Sequence, residues 1–303
     1  MSKFSSAVRS MRLRTLPLSL SGVCLGMMLA ASDYRVSWAV ALFTILTTIS
    51  LQILSNLSNE LGDHLHGTDT QDRLGPSYGL MEGGLTVSEM KGLIAGAVVC
   101  CLVFGLLMIF FSFGTLFSLE SICLMMLGAA AISAAMKYTL GRNPYGYQGL
   151  GDLFVFIFFG IVSVLGAYFV AAHIIPSWIF LLPACTIGFF SIGVLNVNNI
   201  RDMKTDAENR VTVALKLGEK NARIYQTVLI VLGWLCMIAF CMLRFFDPWH
   251  YLFVLTLPLF IKHLMGVWKY SGKELDKMLP LLVMSSFIFS LLAGFGFLKF
   301  LIF

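Results

Sequence analysis

Two short stretches of this chain gather carboxylates and amides at spacings that call for a cation. The first reads Leu57-Ser58-Asn59-Glu60-Leu61-Gly62-Asp63-His64-Leu65-His66-Gly67-Thr68-Asp69-Thr70-Gln71-Asp72-Arg73, four carboxylates against one fixed positive charge. The second runs over residues 198–210 and sets Asn198, Asp202 and Asp206 at intervals of four. Residues four apart share a helix face, so Asn59 lies over Asp63 and Asn198 over Asp202. Like charges one turn apart repel, more so once they leave water, and a cation between them removes the penalty. Oxygen ligands without Cys or His clusters favour Mg²⁺ or Ca²⁺ over zinc. Because Mg²⁺ usually takes one or two carboxylates and completes its shell with water and phosphate oxygens, two facing acidic ends could hold a diphosphate through bridging metal. Solvated loop acids are the plain alternative, and the matched pair of motifs weighs against it.

Basic and aromatic residues stand near both stretches. Arg12, Arg14, Lys137, Arg142, Arg201 and Lys204 are all placed to neutralise a diphosphate, and all also serve membrane topology. The segment Gly141-Arg142-Asn143-Pro144-Tyr145-Gly146-Tyr147-Gln148-Gly149-Leu150-Gly151-Asp152 is unusual for a plain connector. Tyr138, Tyr145 and Tyr147 are suited to face an aromatic substrate or a carbocation.

The elements that must position these groups are membrane helices. Of 303 residues, 58% are hydrophobic and only 12% charged, half the charge of an ordinary soluble domain. Apolar stretches long enough to span a bilayer fall at roughly 15–32, 36–57, 92–111, 117–136, 150–172, 175–197, 224–243, 249–268 and 279–302. The fold expected is all-α: one polytopic membrane domain over 1–303 with nine transmembrane helices and polar loops at 59–73 and 198–210. With the N-terminus inside, only Arg35, Arg244 and Lys299 of the 21 basic residues fall outside. That is a strong positive-inside pattern, and it puts both acidic loops in the cytoplasm. The net charge of +5 therefore belongs to topology rather than to nucleic acid. Seven cysteines without a C-x-x-C pair read as small buried hydrophobes. The spans hold almost no ionisable group at mid-depth, which argues against a transporter. The shared Asn-x-x-x-Asp at the ends of spans two and six is compatible with a duplicated four-helix unit.

At these residues the chain resembles the UbiA superfamily of intramembrane aromatic prenyltransferases, and within it the menaquinone-pathway branch. The resemblance is carried by Arg12-Leu13-Arg14-Thr15-Leu16-Pro17 and Gln52-Ile53-Leu54-Ser55-Asn56-Leu57-Ser58-Asn59. It continues in Gly67-Thr68-Asp69-x-x-Asp72-Arg73-x-Gly75-Pro76, Gly149-Leu150-Gly151-Asp152, Asn198-Asn199-Ile200-Arg201-Asp202 with Asp206, and Thr212-Val213-Ala214-x-x-Leu217-Gly218. It implies a nine-helix fold in a bacterial cytoplasmic (inner) membrane, and a reaction. A polyprenyl diphosphate would be joined to 1,4-dihydroxy-2-naphthoate with loss of diphosphate and carbon dioxide, giving demethylmenaquinol. It further implies that Asn59, Asp63, Asn198, Asp202 and Asp206 form the Mg²⁺–diphosphate shell and that Asp69 and Asp72 face the second motif or organise the loop. Arg73, Lys137, Arg142 and Arg201 would meet the diphosphate. Glu60 and Asn199 stand where the family commonly has Asp, and Gly67 where other branches place a third Asp. Those other branches, which use 4-hydroxybenzoate, homogentisate or haem, are the main alternatives.

Overall fold

The computed structural model describes residues 2–67, 78–207, 210–244 and 247–298. Among them are nine helices long and apolar enough to cross a membrane, which we number α1 to α9: Lys3–Ala31, Trp38–Leu65, Val87–Phe113, Leu119–Lys137, Gly151–Ala172, Trp178–Arg201, Val213–Arg244, Pro248–Lys269 and Gly272–Phe297. They coincide with the nine expected spans, and no strand occurs among the described residues. The protein is a multi-pass membrane protein.

Where helix and span differ, the excess is polar. At 28 residues α2 extends about 42 Å, against a hydrocarbon thickness of about 30 Å. Its last turns, which carry Asn59, Glu60 and Asp63, therefore stand clear of the apolar layer. Gly67 ends the run with φ +67, a conformation open to glycine at little steric cost. Helix α7 begins at Val213, eleven residues before its apolar stretch, and kinks at Gly218 (φ 74, ψ 160). Helix α1 is broken at Arg12, whose backbone is left-handed (φ 50, ψ 51). The amphipathic Lys3–Ser10 segment lies before that break, and the membrane-spanning Leu16–Ala31 follows it.

Packing divides the molecule. The C-terminal helices enclose an aromatic core in which Phe190 meets Phe260 at 4.7 Å and Phe289 at 5.1 Å between ring centroids. Trp234 meets Phe289 at 5.2 Å. Where α5 crosses α6, a Cβ on Gly160 would stand 2.7 Å from the Ala184 carbonyl oxygen, so the two backbones touch. On the other side, α4 packs against α2 and α3 while α5 packs against α1 and α6. The cavity described below occupies the space between α4 and α5. The middle of α5, Phe156–Gly166, is wound as a π-helix, and it supplies Phe158, Phe159 and Val162 to the cavity wall.

Candidate active site

One face of α2 is polar through the membrane: Thr44, Thr48, Gln52 and Asn56 recur every fourth residue, and Asn59 and Asp63 continue the ridge. Its inner part braces the break in α1. Asn56 Nδ2 donates to the Met11 carbonyl at 2.8 Å and to Thr15 Oγ1 at 3.0 Å. Gln52 Nε2 donates to the same hydroxyl at 3.1 Å. Asn59 lines the cavity and accepts from Thr139 Oγ1 at 3.3 Å. Asp63 is buried, and one of its oxygens accepts from Tyr147 Oη at 2.7 Å and from Arg210 Nη2 at 3.1 Å. Glu60, in the family's Asp position, turns elsewhere: Oε1 accepts the Leu80 N–H at 2.8 Å, so this carboxylate pins the chain that returns from the first acidic loop.

The end of α6 is arranged around Arg201. Its Nε and Nη2 fork onto the two oxygens of Asp202 at 2.8 and 2.6 Å. Nη2 also donates to Asn198 Oδ1 at 2.7 Å, and Nη1 donates to Asp276 Oδ1 at 2.6 Å. Arg14 approaches Asp276 at 3.6 Å, which draws the α1 entry to the same end of the bundle. Helix α6 stops at Arg201. Asp206 lies on a separate turn, Met203–Asp206, where Arg210 Nε meets it at 3.2 Å. Arg210 thus joins the acid of α2 to the acid beyond α6.

The Tyr-rich loop closes this end. Tyr145–Tyr147 is a single 3₁₀ turn, and the Val211 N–H donates to the Tyr147 carbonyl at 2.9 Å, tying the loop to the segment that carries Arg210. Tyr138 and Tyr145 line the cavity and meet edge to face at 5.3 Å. Tyr145 also stacks on Phe154 at 4.0 Å. Burial pushes the Tyr138 phenol up to about 12, so it stays protonated. Tyr147, expected beside a substrate ring, spends its hydroxyl on Asp63 and is not part of the cavity wall. Lys137 and Arg142 are exposed and do not line the cavity described below. Asp69, Asp72 and Arg73 lie outside the described residues.

The cavity has a volume of about 350 Å³. Its wall is mainly apolar, with Gly128, Ala131, Ala134 and Ala135 on α4 facing Phe158 and Phe159 on α5, and the polar face of α2 from Thr44 to Asn59 runs along one side. Among the described residues, no three His, Cys, Asp or Glu side chains converge as a metal cluster. The donors present are carboxylate and amide oxygens, the set that suits Mg²⁺ when phosphate and water complete its shell.

The partners of three groups at the site are not given by sequence spacing. Arg210 follows Asp206 by one helical turn, a signal that marks an ordinary local ion pair and not the reach to Asp63. Asp276 sits in the first turns of α9, remote in sequence from both motifs. Asp152 accepts from Tyr225 Oη at 2.9 Å, a pairing between α5 and α7 that only the fold creates.

Residues 19–292 match the family model described as UbiA prenyltransferase family. The chain is 38% identical to 1,4-dihydroxy-2-naphthoate octaprenyltransferase from Escherichia coli K12, covering 91% of this chain and 87% of that one. It is 34% identical to the protein of the same name from Mycobacterium tuberculosis, covering 86% of each. A solved UbiA homolog from Aeropyrum pernix superposes with a TM-score of 0.68 at 16% identity, covering 97% of this chain and 98% of that one. Another, from Archaeoglobus fulgidus and bound to GPP and Mg²⁺, gives 0.63 at 12%, covering 97% and 99%.

Proposed function

The chain belongs to the UbiA prenyltransferase family, and from that premise we propose that it transfers a polyprenyl group from a polyprenyl diphosphate to 1,4-dihydroxy-2-naphthoate in menaquinone biosynthesis. The observation that carries the reaction class is the double position of Asn59, which belongs both to the acidic end of α2 and to the wall of an apolar cavity. A diphosphate at the acidic end leaves its prenyl chain pointing into that cavity. The acceptor follows the relatives, whose name specifies the naphthoate.

In this reading Asn59, Asp63, Asn198, Asp202 and Asp206 would hold Mg²⁺, and Asp69 and Asp72 stay as candidates from the resemblance. When bound, the metal supplies positive charge against the negative charge growing on the diphosphate. Arg201 stands at the centre of the second acidic end, and Lys137, Arg142 and Arg73 are the further candidates for neutralising the diphosphate. The allylic C1–O bond breaks, and its electron pair leaves with the diphosphate. The ring carbon that bears the carboxylate attacks C1. Carbon dioxide then departs, and the electrons of the broken C–C bond restore the aromatic ring. The faces of Tyr138 and Tyr145 flank the polar end of the cavity, where a ring quadrupole stabilises developing allylic charge. The apolar wall excludes water that would otherwise trap the cation. Each prenyl CH₂ kept from water contributes about 0.8 kcal/mol to holding the donor. The basic residues of this end follow the positive-inside pattern, which supports a place for it on the cytoplasmic side of a bacterial inner membrane.

The test uses purified protein, Mg²⁺ and one polyprenyl diphosphate, with 1,4-dihydroxy-2-naphthoate, 4-hydroxybenzoate and homogentisate in separate reactions. The naphthoate should be prenylated with release of carbon dioxide, at a kcat/KM well above the others. Preference for 4-hydroxybenzoate with its carboxylate retained would overturn the acceptor assignment.

A further inference from the structure

Arg210 occupies an unusual place. Its guanidinium touches Asp63 at 3.1 Å and Asp206 at 3.2 Å, and its Cζ lies 4.8 Å from the centre of the Tyr147 ring. The three side chains are deeply buried, with 12% of Arg210, 4% of Asp63 and 9% of Asp206 exposed. One carboxylate belongs to α2 and the other to the turn beyond α6. These ends would repel each other across a poorly solvated gap if no cation stood between them. The arginine therefore does for the acids what a divalent ion does in the proposed reaction.

Both roles cannot be filled at once on the same oxygens. A metal that takes Oδ1 of Asp63 and Oδ1 of Asp206 must displace the guanidinium, and a buried guanidinium drawn away from those oxygens is stabilised by an anion. A diphosphate is that anion, because its oxygens match the planar fork of arginine. The backbone beside Arg210 is held by the hydrogen bond from Val211 N–H to the Tyr147 carbonyl, so the exchange is assigned to the side chain.

Resting on the Mg²⁺–diphosphate reading above, we propose that Arg210 is a built-in counter-cation, bridging Asp63 and Asp206 before substrate arrives and passing to the diphosphate as metal takes its place. Metal alone then competes against the arginine and binds weakly. Metal with diphosphate does not, because the arginine has somewhere to go. The two ligands are coupled through this side chain in addition to their direct attraction.

The experiment measures Mn²⁺ binding to the full chain in detergent by electron paramagnetic resonance, with and without inorganic pyrophosphate. Formation of the Mn²⁺–pyrophosphate complex in buffer is subtracted, and thermal melting is followed in parallel. The wild type should bind Mn²⁺ at least tenfold more tightly when pyrophosphate is present. Arg210→Gln should bind Mn²⁺ alone about tenfold more tightly than the wild type does, with the gain from pyrophosphate reduced to threefold or less. Unchanged or weaker binding of Mn²⁺ alone by a folded Arg210→Gln protein overturns the proposal. If that variant does not fold, Arg210→Lys decides, since it keeps the charge but cannot bridge both carboxylates. Its binding of Mn²⁺ alone should tighten at least threefold, and no change overturns the proposal. Absence of Mn²⁺ binding in every protein, with or without pyrophosphate, overturns the metal–diphosphate reading itself and this inference with it.

Discussion

The two halves of the molecule carry the same motif and house different interiors. Asn59 and Asp63 close α2 as Asn198 and Asp202 close α6, each pair four residues apart. Yet all but one of the cavity-lining residues come from α1 to α5, the exception being Leu195. The corresponding space among α6 to α9 is filled by Phe190, Trp234, Phe253, Phe260 and Phe289. The physical difference lies in side-chain volume: Gly128, Ala131, Ala134 and Ala135 leave room against α5, whereas rings at 4.7 to 5.5 Å leave none. A repeated helix end can thus be shared chemically while only one half makes room for a long apolar chain.

The most severe challenge to this comparison is to remove each acidic end in turn. Asp63→Ala and Asp202→Ala should each lower kcat/KM about 10²-fold or more, the usual scale for lost transition-state electrostatics. Arg201 keeps Asn198 and Asp276 as partners in the second variant. Near wild-type turnover by either variant breaks the equivalence of the two ends. Next, Phe289→Ala opens the solid half. Its side chain remains among apolar groups even before the helices pack, so mainly the cavity and dispersion costs apply, about 2 kcal/mol. The measurement is a drop in thermal stability with kcat/KM of the folded fraction unchanged. An altered preference for donor length would show that the aromatic half also houses substrate.

Filling the hollow half should act the other way. A Cβ at Gly128 meets nothing within 4 Å, so Gly128→Leu should fold normally. It should raise KM for a long polyprenyl diphosphate about tenfold, equivalent to displacing roughly two CH₂ groups, while geranyl diphosphate is used as before. An equal loss with both donors would remove the cavity from tail binding. The smallest effect is expected from Tyr147→Phe, which deletes one hydrogen bond to Asp63. At about 0.5–1.5 kcal/mol, kcat/KM should fall between twofold and about tenfold with little change in stability.

Much of this architecture is legible in the residues themselves. Nine apolar stretches become nine helical spans because a backbone in the bilayer must satisfy its polar groups within the segment. The first acidic pair sits on one helix face as its spacing requires. The second is less regular: α6 stops at Arg201, so Asp206 reaches the site from a separate turn. What the spacing does not reveal is which partner each group finds across the fold. Tyr138, Tyr145 and Tyr147 look alike in sequence, but the 3₁₀ turn sends Tyr147 to Asp63 and leaves the other two on the cavity. Glu60 resembles a metal ligand until the chain returns and presents the Leu80 N–H. Arg210 and Asp276 owe their roles to contacts over 147 and 75 positions. The cavity is a difference between the paths of two helices, and a run of alanines does not say whether a neighbour will fill the space.

One wall of that cavity is α4, and only 6% of its apolar window is buried within the protein. Its outer side, with Leu119, Ile122 and Met126, is exposed to lipid. On the proposed function, the partition that would bound a prenyl chain is a single helix thick, with acyl chains behind it. Lateral pressure and bilayer thickness would then act on donor selection together with the side chains. A detergent micelle and a native-like bilayer would present the same sequence with differently shaped rooms.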